Sequence, residues 1–473
     1  MKRALLFLAL GASLAGCASE PVPTSQPRER VRGSLSTWWI QVPAADLSRL
    51  AAESQALAKA PRCLGARLRA TPDVAHAAWL GSDLAGRALL AQAFSSAGLP
   101  AYAESAAAAQ RQSQAHALAC DRLARARAAL RGDAKSAAEE AKAAREALQT
   151  LGDGLLAAEA GLLESAAALH GGEAAPALPP LPVPAQQAQA ELLRLAFAAR
   201  SERPAPEGAL QRLGALRCGL ALDRLADAIR QGALAPAADA YPLARLRAEL
   251  AGERRNGERA LLAAHQARRA AEGEEQQLLA RGAPAPERTE VRRRVLEARL
   301  LEVQARALAG QSAGAALDAA ELAEEARELP DLHTRVESLL GQCLLARRQP
   351  EAAAEAYRRA AAAALRAGDR ARQARALLNR ATALLAGSRD REQITEALAG
   401  CNAAVLDGEG QARKQIVTTL FRLLYGELSG REAARRIEGA LEQARAAGAW
   451  EVELRYAALP GRLRERAREV GVK

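Results

Sequence analysis

The chain has 473 residues and a formal net charge of +11. At about 100–200 residues per domain, this length predicts two to four domains or one elongated array of repeats. Alanine supplies 123 of the residues, against four Phe, four Trp and five Tyr. Because strands are built mainly from β-branched and aromatic residues, the composition predicts a helical protein and argues against sandwiches, barrels and doubly wound sheets.

The N-terminus has the pattern of a secretory signal. Two basic residues precede an apolar stretch at 4–12, which is too short to span a bilayer. The next residues, LAGC at 14–17, resemble a bacterial lipobox, in which a signal peptidase cuts before a cysteine that then carries lipid. The resemblance implies that residues 1–16 form the signal peptide and that Cys17 is the lipidated anchor. The alternative is an ordinary signal peptide with a chance cysteine.

The residue after the cysteine bears on location. In Gram-negative lipoproteins an aspartate at that position favours retention in the inner membrane, whereas this chain has Ala18. The resemblance therefore implies the periplasmic face of the outer membrane. Residues 17–36 are polar, contain three prolines and show no apolar period, so they predict a flexible tether. Its r.m.s. reach is roughly 25 Å.

A second proline-rich stretch, GGEAAPALPPLPVPA at 171–185, predicts an extended linker between two helical blocks. It could serve as a ligand for a proline-reading domain, as a spacer, or as a loop packed on the helices. The chain then divides into helical repeats at 37–170, a helical middle segment at 186–290 without a defensible period, and repeats at 291–473.

The positive charge does not by itself indicate a nucleic-acid partner. Only six of the basic residues are lysines, and acidic and basic residues interleave along 288–306. Glu290 precedes Arg294 by four residues, and Glu302 precedes Arg306 in the same way, an order that stabilises a solvated helix. We therefore expect a solvated surface and no nucleic-acid partner, with a polyanion-binding patch as the alternative.

One stretch in the C-terminal third carries small and aromatic residues at the spacing of a helical repeat. Leu340-Gly341, Ala353, Tyr357 and Ala360 follow the order L-G, then A-x3-F-x2-A. This order resembles a tetratricopeptide repeat, a helical hairpin of about 34 residues. In such a repeat Gly341 and Ala353 would let the two helices approach closely. Tyr357 would fill the gap beside the next repeat, and Ala360 would allow the following helix to pack.

The small-residue pattern recurs elsewhere. A step of 34 residues back from Ala353 reaches Ala319, and a similar period occurs over 84–151. Past residue 367 the step lengthens to 44 and then 43 residues, which predicts longer helices or loops. Glu337 replaces the usual aromatic residue, and Leu365 stands where proline is common. The resemblance implies an all-α fold, a right-handed α-solenoid of antiparallel helix pairs in two blocks.

In such a solenoid the first helix of each pair lines a concave face that binds extended peptides or helices. Carrying the repeat positions over implies that Arg335 and Gln342 lie on this face, followed by Gln373 and Arg380 in the next repeat. Two arginines would suit an acidic segment or a C-terminal carboxylate. The alternative is that these side chains are merely solvated.

Motifs that would indicate catalysis or metal binding are weak or missing in the sequence. The pentamer at 310–314 matches G-x-S-x-G, but the preceding stretch is an amphipathic helix rather than the buried strand that a nucleophile elbow needs. The five histidines are scattered, with no H-E-x-x-H and no C-x-x-C. We therefore expect no enzyme, no cofactor and no metal.

Five further cysteines leave the disulfide state open, because their number is odd and their spacing wide. They are Cys63, Cys120, Cys218, Cys343 and Cys401.

These patterns together predict a lipid-anchored scaffold or assembly factor for a cell-envelope machine, such as one for secretion, pili, motility or outer-membrane assembly. Envelope proteins would bind its concave face, and only the lipid would enter the membrane. Two alternatives are a regulator of a peptidoglycan enzyme and a small-ligand or enzymatic role for 186–290.

Overall fold

A computed structural model describes residues 40, 42–82, 84–130, 132–174, 176–200, 208–230 and 240–469, and every regular element in these ranges is helical. The signal peptide, Cys17 and the tether lie outside the described residues. The chain divides into two compact units, Met1–Leu250 and Ala251–Lys473. Within the described ranges, no helix combines the length and the apolar character needed to cross a membrane.

The first unit is built from short and medium helices. They are α1 (Ala44–Ala56), α2 (Pro61–Ala70), α3 (Pro72–Gly81), α4 (Leu84–Ser96), α5 (Ala101–Arg111), α6 (Ser113–Ala129), α7 (Ala134–Thr150), α8 (Gly154–Gly171), α9 (Pro184–Arg200), α10 (Ala209–Ala215), α11 (Gly219–Arg230) and α12 (Ala240–Glu253), which runs past the unit boundary.

Helix α8 is the centre of this unit. Its sequence is apolar on nearly every face, and residues from Leu155 to Leu169 are buried around most of the helix circumference. Helices α7 and α9 pack against it on either side, and α5 and α6 also contact it. A helix that is hydrophobic all round can be stable only when its neighbours cover it on all sides. The core therefore forms around α8.

The proline-rich segment does not separate two blocks. Leu178 and Leu181 pack against the core of the first unit, and Val183 is fully buried. Pro179 lies so close to Gly161 of α8 that a Cβ there would come within 2.7 Å of its ring. The boundary expected at 171–185 lies instead after Leu250, because apolar residues between the prolines anchor this segment to α8.

The second unit is a stack of antiparallel helices. They are α13 (Gly257–Ala280), α14 (Ala285–Leu308), α15 (Ser312–Glu325), α16 (Pro330–Ala346), α17 (Pro350–Arg366), α18 (Arg370–Ala386), α19 (Arg391–Gly400), α20 (Gly408–Leu424), α21 (Gly430–Ala446), α22 (Trp450–Tyr456) and α23 (Leu459–Glu469).

From α13 to α21 each helix packs on the next one in the chain, and α14, α16, α18 and α20 also contact one another in that order. Sequential contacts of this kind define an α-solenoid. The four helices that also contact one another form a continuous layer, which we call the first-helix layer.

The predicted repeat at 334–367 corresponds to the hairpin of α16 and α17. Gly341 on α16 faces the ring of Tyr357 on α17, and a Cβ at Gly341 would lie 2.7 Å from two ring atoms. Ala353 and Tyr357 belong to the core shared with α18, while Ala360 packs against Ala376 of α18. The small residues thus lie where neighbouring helices approach closely.

The second of the two longer steps beyond residue 367 has a local cause. Helix α19 ends at Gly400, and a short 3-10 turn at Ala403–Val405 fills the space before α20. Leu406 and Cys401 are buried on the core of α18 and α20, so this connection packs inward. The added residues therefore lengthen the loop, and α19 itself is shorter than its neighbours.

Candidate functional site

The first-helix layer of the second unit carries three of the four residues expected on the concave face without burying them. Gln342 on α16 is exposed, while Arg335 on α16 and Gln373 on α18 are half-buried. These side chains lie outside the hydrophobic cores of the unit. The layer therefore offers polar groups along adjacent, contacting helices.

Arg380 is a correction to the expected set. It is 8% exposed, and its Nη1 atom lies 3.3 Å from Oε2 of Glu396 on α19. Helices α16 and α18 begin forty residues apart, two more than the spacing assumed between Gln342 and Arg380. Two residues turn a side chain by about 200° around a helix, so Arg380 does not lie at the position equivalent to Gln342, and Gln373 is offset from Arg335 in the same way.

Equivalent positions on α16 and α18 are found by counting residues from the first residue of each helix. Arg335 and Arg375 are each five residues into their helices, and Gln342 and Thr382 are each twelve residues in. Arg375 is exposed and Thr382 half-buried. The pair of outward arginines on the first-helix layer is therefore Arg335 and Arg375.

Arginines also link successive members of the first-helix layer to one another. Three such contacts are Arg293 Nη2 to Asp331 Oδ2 at 2.7 Å, Arg375 Nη2 to Asp407 Oδ2 at 2.7 Å, and Arg413 Nη2 donating to Asn379 Oδ1 at 2.9 Å. The two exposed ion pairs among these contacts contribute about 0–1 kcal/mol each, so they set local geometry more than stability. A partner's acidic group can replace such an acceptor at little cost.

A second group of charges lies near the end of the unit. The guanidinium of Arg255 stands over the ring of Trp450 at 5.2 Å, and its Nη2 atom lies 3.7 Å from Oε1 of Glu451. These two contacts hold the loop before α13 against α22. Burial and the nearby negative charge of Glu451 raise the pKa of Glu409, which lies at the start of α20.

The departure from the repeat pattern at Glu337 is explained by an ion pair. Glu337 is buried, and its two carboxylate oxygens accept hydrogen bonds from Nε and Nη2 of Arg359 at 2.7 and 3.0 Å. Burial opposes ionisation, yet bonding from His333 and Arg359 lowers the pKa of this carboxyl. The position that usually holds an aromatic ring is filled here by a bidentate pair between α16 and α17.

The first unit holds a buried polar network that the sequence analysis did not identify. Asp153 caps α8: its Oδ1 accepts from the N–H of Leu156 at 3.0 Å. Its Oδ2 accepts from the hydroxyl of Ser105 at 2.8 Å and lies 2.8 Å from Nε2 of His116. Cys120 Sγ is 3.6 Å from the other ring nitrogen of His116, Nδ1. Four polar side chains from α5, α6 and the start of α8 thus form one chain of contacts.

These contacts change the ionisation of two members. The hydrogen bond to Asp153, followed by that to Cys120, raises the pKa of His116 to about 9. Burial acts against a thiolate at Cys120, but His116 and Arg87 lower the pKa of the thiol. The arrangement favours an imidazolium at His116 beside a thiolate at Cys120.

A second buried carboxylate lies on α8 itself. Glu159 has His76 Nε2 at 3.2 Å from one oxygen and Arg127 Nη2 at 2.6 Å from the other. Burial opposes its ionisation, but the bonds from His76 and Arg127 lower the pKa of Glu159 to about 2. His76 Nδ1 lies 3.1 Å from the hydroxyl of Tyr102, which stacks on Phe94. Polar and aromatic contacts therefore tie α3, α5 and α6 to α8.

Three further expectations from the sequence concern the pentamer at 310–314, the cysteines and metal binding. The pentamer at 310–314 was expected to form a turn between two helices, and only part of it does. Gly310, at φ +81°, and Gln311 belong to the turn after α14, whereas Ser312 begins α15. The five cysteines other than Cys17 are free thiols, four of them buried and Cys120 half-buried. In the described ranges no three His, Cys, Asp or Glu side chains are grouped as a metal ion would require.

Comparisons with known proteins show a likeness to solved structures only. No protein-family model matches the sequence, and no curated protein matches it significantly. Among solved structures, the chain is similar to a Rap protein complexed with competence and sporulation factor, at 13% sequence identity. The alignment covers 74% of this chain and 99% of that protein, with a TM-score of 0.35.

Proposed function

We propose that this protein is a non-catalytic, lipid-anchored scaffold or assembly factor for a cell-envelope machine, and that it binds partner proteins through the first-helix layer of its second unit. The observation that carries the proposal is the continuity of that layer. Helices α14, α16, α18 and α20 contact one another in order while leaving polar side chains outside the core. Solenoids commonly use such an extended surface to bind a peptide or a partner's helix.

The chemistry of the layer favours an acidic partner segment. Arg335 and Arg375 occupy equivalent places on α16 and α18, and Gln342 adds amide donors and an acceptor two turns further along α16. Guanidinium groups bind carboxylates with two parallel hydrogen bonds, which provides both energy and geometric specificity. Asp407, which pairs with Arg375, shows how a carboxylate meets this face.

The location is a proposal that rests on the LAGC sequence at 14–17 and on Ala18. Lipid on Cys17 would hold the folded units at the periplasmic face of the outer membrane. Several acyl chains are needed for stable anchoring, because one chain alone gives only marginal binding. Replacing Cys17 with alanine is expected to abolish incorporation of a labelled fatty acid and to leave uncleaved precursor. Unchanged labelling would disprove the anchor without bearing on the binding face.

The binding face is tested by charge reversal. We expect Arg335→Glu with Arg375→Glu to weaken the binding of envelope partners by at least about tenfold, equivalent to about 1.4 kcal/mol. Partners are first captured by mild cross-linking and affinity purification of the full-length protein from solubilised envelopes. Their affinity for the purified variants is then measured directly, with circular dichroism to confirm folding.

The matched control is Arg358→Glu with Arg436→Glu. Both arginines are exposed and lie on α17 and α21, outside the first-helix layer, and each pairs with a glutamate of its own helix. The control changes the net charge by the same amount as the test variant. Equal loss of binding in the two variants would show that net charge, and not the first-helix layer, determines the interaction.

A further inference from the structure

The contact chain that ends at Cys120 has the geometry of an activated thiol. His116 and Cys120 are four residues apart on α6, so their side chains lie on the same face of the helix. One ring nitrogen of His116 is 3.6 Å from the sulfur, and the other is 2.8 Å from Oδ2 of Asp153. Asp153 is fully buried and is fixed by its bonds to Ser105 and to the first turn of α8.

Two positively charged groups favour the anionic form of the sulfur. His116 acts on it from the same helix, Arg87 acts on it from α4, and Asp153 acts through His116 by holding the imidazole in place. Arg87 is positioned by hydrogen bonds from its guanidinium to the carbonyl oxygens of Trp79 and Leu80, at 3.3 Å each. A thiolate next to an imidazolium and a guanidinium is the environment of reactive cysteines.

Cys120 also differs from the other described cysteines in its access to solvent. It is half-buried at the edge of the core, whereas Cys63, Cys218, Cys343 and Cys401 are at most 1% exposed. Burial raises the pKa of the Cys343 and Cys401 thiols, which keeps those two in the unreactive form. Among the described cysteines, Cys120 therefore combines access to solvent with nearby positive charge.

We propose that Cys120 is a nucleophilic thiolate that undergoes exchange with small aliphatic disulfides, with His116 as its ion partner and Asp153 as a positioning residue. The Cys120 thiolate attacks one sulfur of the disulfide, a new S–S bond forms at Cys120, and the original S–S bond breaks. The bond electrons leave on the departing sulfur, which takes a proton from solvent. Cys120 is oxidised to a mixed disulfide, and half of the small disulfide is reduced to a thiol.

The first test measures the pH dependence of alkylation in the full chain. Iodoacetamide is added at pH values from 5 to 9, and the labelled tryptic peptide QSQAHALACDR (112–122) is quantified by mass spectrometry. The midpoint of the rate profile is expected to lie below that of the same peptide in urea-unfolded protein, since a free thiol titrates near 8.5. Equal midpoints would overturn the proposal, because steric access changes the rate but not the midpoint.

The second test uses His116→Gln, with Cys120→Ser as the labelling blank. We expect His116→Gln to move the midpoint toward that of the unfolded peptide and to slow labelling at pH 6.5 about tenfold. An unchanged midpoint in a folded variant would exclude His116 as the ion partner. If circular dichroism shows that the variant is unfolded, the wild-type midpoint alone decides.

The exchange step is tested with oxidised glutathione and the native protein. A glutathione adduct is expected on the 112–122 peptide, with the peptides that contain the four buried cysteines unmodified. Failure to form this adduct while iodoacetamide reacts at the low midpoint would leave an activated thiol but overturn its assignment to disulfide exchange. None of these outcomes depends on the binding face of the second unit.

Discussion

Replacing Asp153 with alanine is expected to lower the free energy of unfolding of the first unit by about 3–5 kcal/mol. The Asp153 side chain is fully buried and makes three contacts. Removing it leaves the imidazole of His116 and the hydroxyl of Ser105 without this acceptor inside the core. A buried charge that loses its partner costs more than the contact itself contributes, because the remaining charge cannot be hydrated.

The matched control is Asp133→Ala. Asp133 is also a helix cap, since its Oδ1 accepts from the N–H of Ser136 at 3.0 Å, but it is exposed at the start of α7. Loss of a cap alone is expected to cost about 1 kcal/mol. The additional loss of unfolding free energy in Asp153→Ala, compared with Asp133→Ala, therefore measures the contribution of the buried network rather than that of the cap.

Urea unfolding of the full chain by circular dichroism gives the two changes in stability. Hydrogen-exchange mass spectrometry of peptides from 134–171 assigns them to the first unit, because that segment covers α7 and α8. Similar losses for the two variants would contradict the network's role. In that case Ser105 and His116 would have to form hydrogen bonds with other groups when Asp153 is removed.

The helical architecture could be predicted from the sequence because helix formation is governed locally. A chain rich in alanine, leucine, arginine and glutamate forms helices in most contexts. The pattern of Gly341, Ala353 and Tyr357 also located one hairpin correctly, because a glycine opposite a large ring requires two closely packed helices. Such packing positions are readable because only the smallest side chains fit them.

The direction of an individual side chain could not be predicted with the same success. Arg380 was expected on the open face and is buried beside Glu396. Its orientation depends on the lengths of the connections before α18, and alanine-rich helices carry few residues that would fix the register. The proline-rich segment was misplaced for a similar reason, since its interspersed leucines are attached to the core by contacts with a distant part of the chain.

The polar network was missed because its members are far apart in the sequence. The spacing of His116 and Cys120 was visible, but a single pair at that distance is common in helices. Asp153 is 37 residues beyond His116, and only the packing of α6 against the start of α8 brings them together. Spacing rules describe neighbours along one helix and contain no information on contacts between helices.

The second large effect is a pH dependence that becomes steeper when Cys120 is removed. In the Cys120→Ser variant, the free energy of unfolding is expected to fall by about 1–3 kcal/mol as the pH rises from about 6.5 to 9. The raised pKa of His116, about 9 in the wild type, has the hydrogen bond to Asp153 as its largest cause, and this bond remains in the variant. A raised histidine pKa stabilises the fold fully below the unfolded value of 6.5, and this contribution is lost as the pH rises through the folded value.

In the wild type the stability is expected to fall less over the same pH range. The lowered pKa of Cys120 has the opposite sign, because its contribution grows as the pH rises toward the ordinary value of 9.0 for a thiol. The proton that Cys120 gives up on folding offsets part of the proton that His116 takes up. The slope of the free energy of unfolding against pH is therefore smaller in the wild type than in Cys120→Ser.

Urea unfolding at pH values from 5.5 to 9 distinguishes the two curves, and this range lies above the titration of Glu159, which both proteins share. The double variant Cys120→Ser, His116→Gln removes both titrating groups and should give a flat curve at a lower stability. If wild type and Cys120→Ser fell in parallel, Cys120 would be a neutral thiol in the folded protein. His116 would then be paired with Asp153 alone, and the contact at 3.6 Å would not be an ion pair.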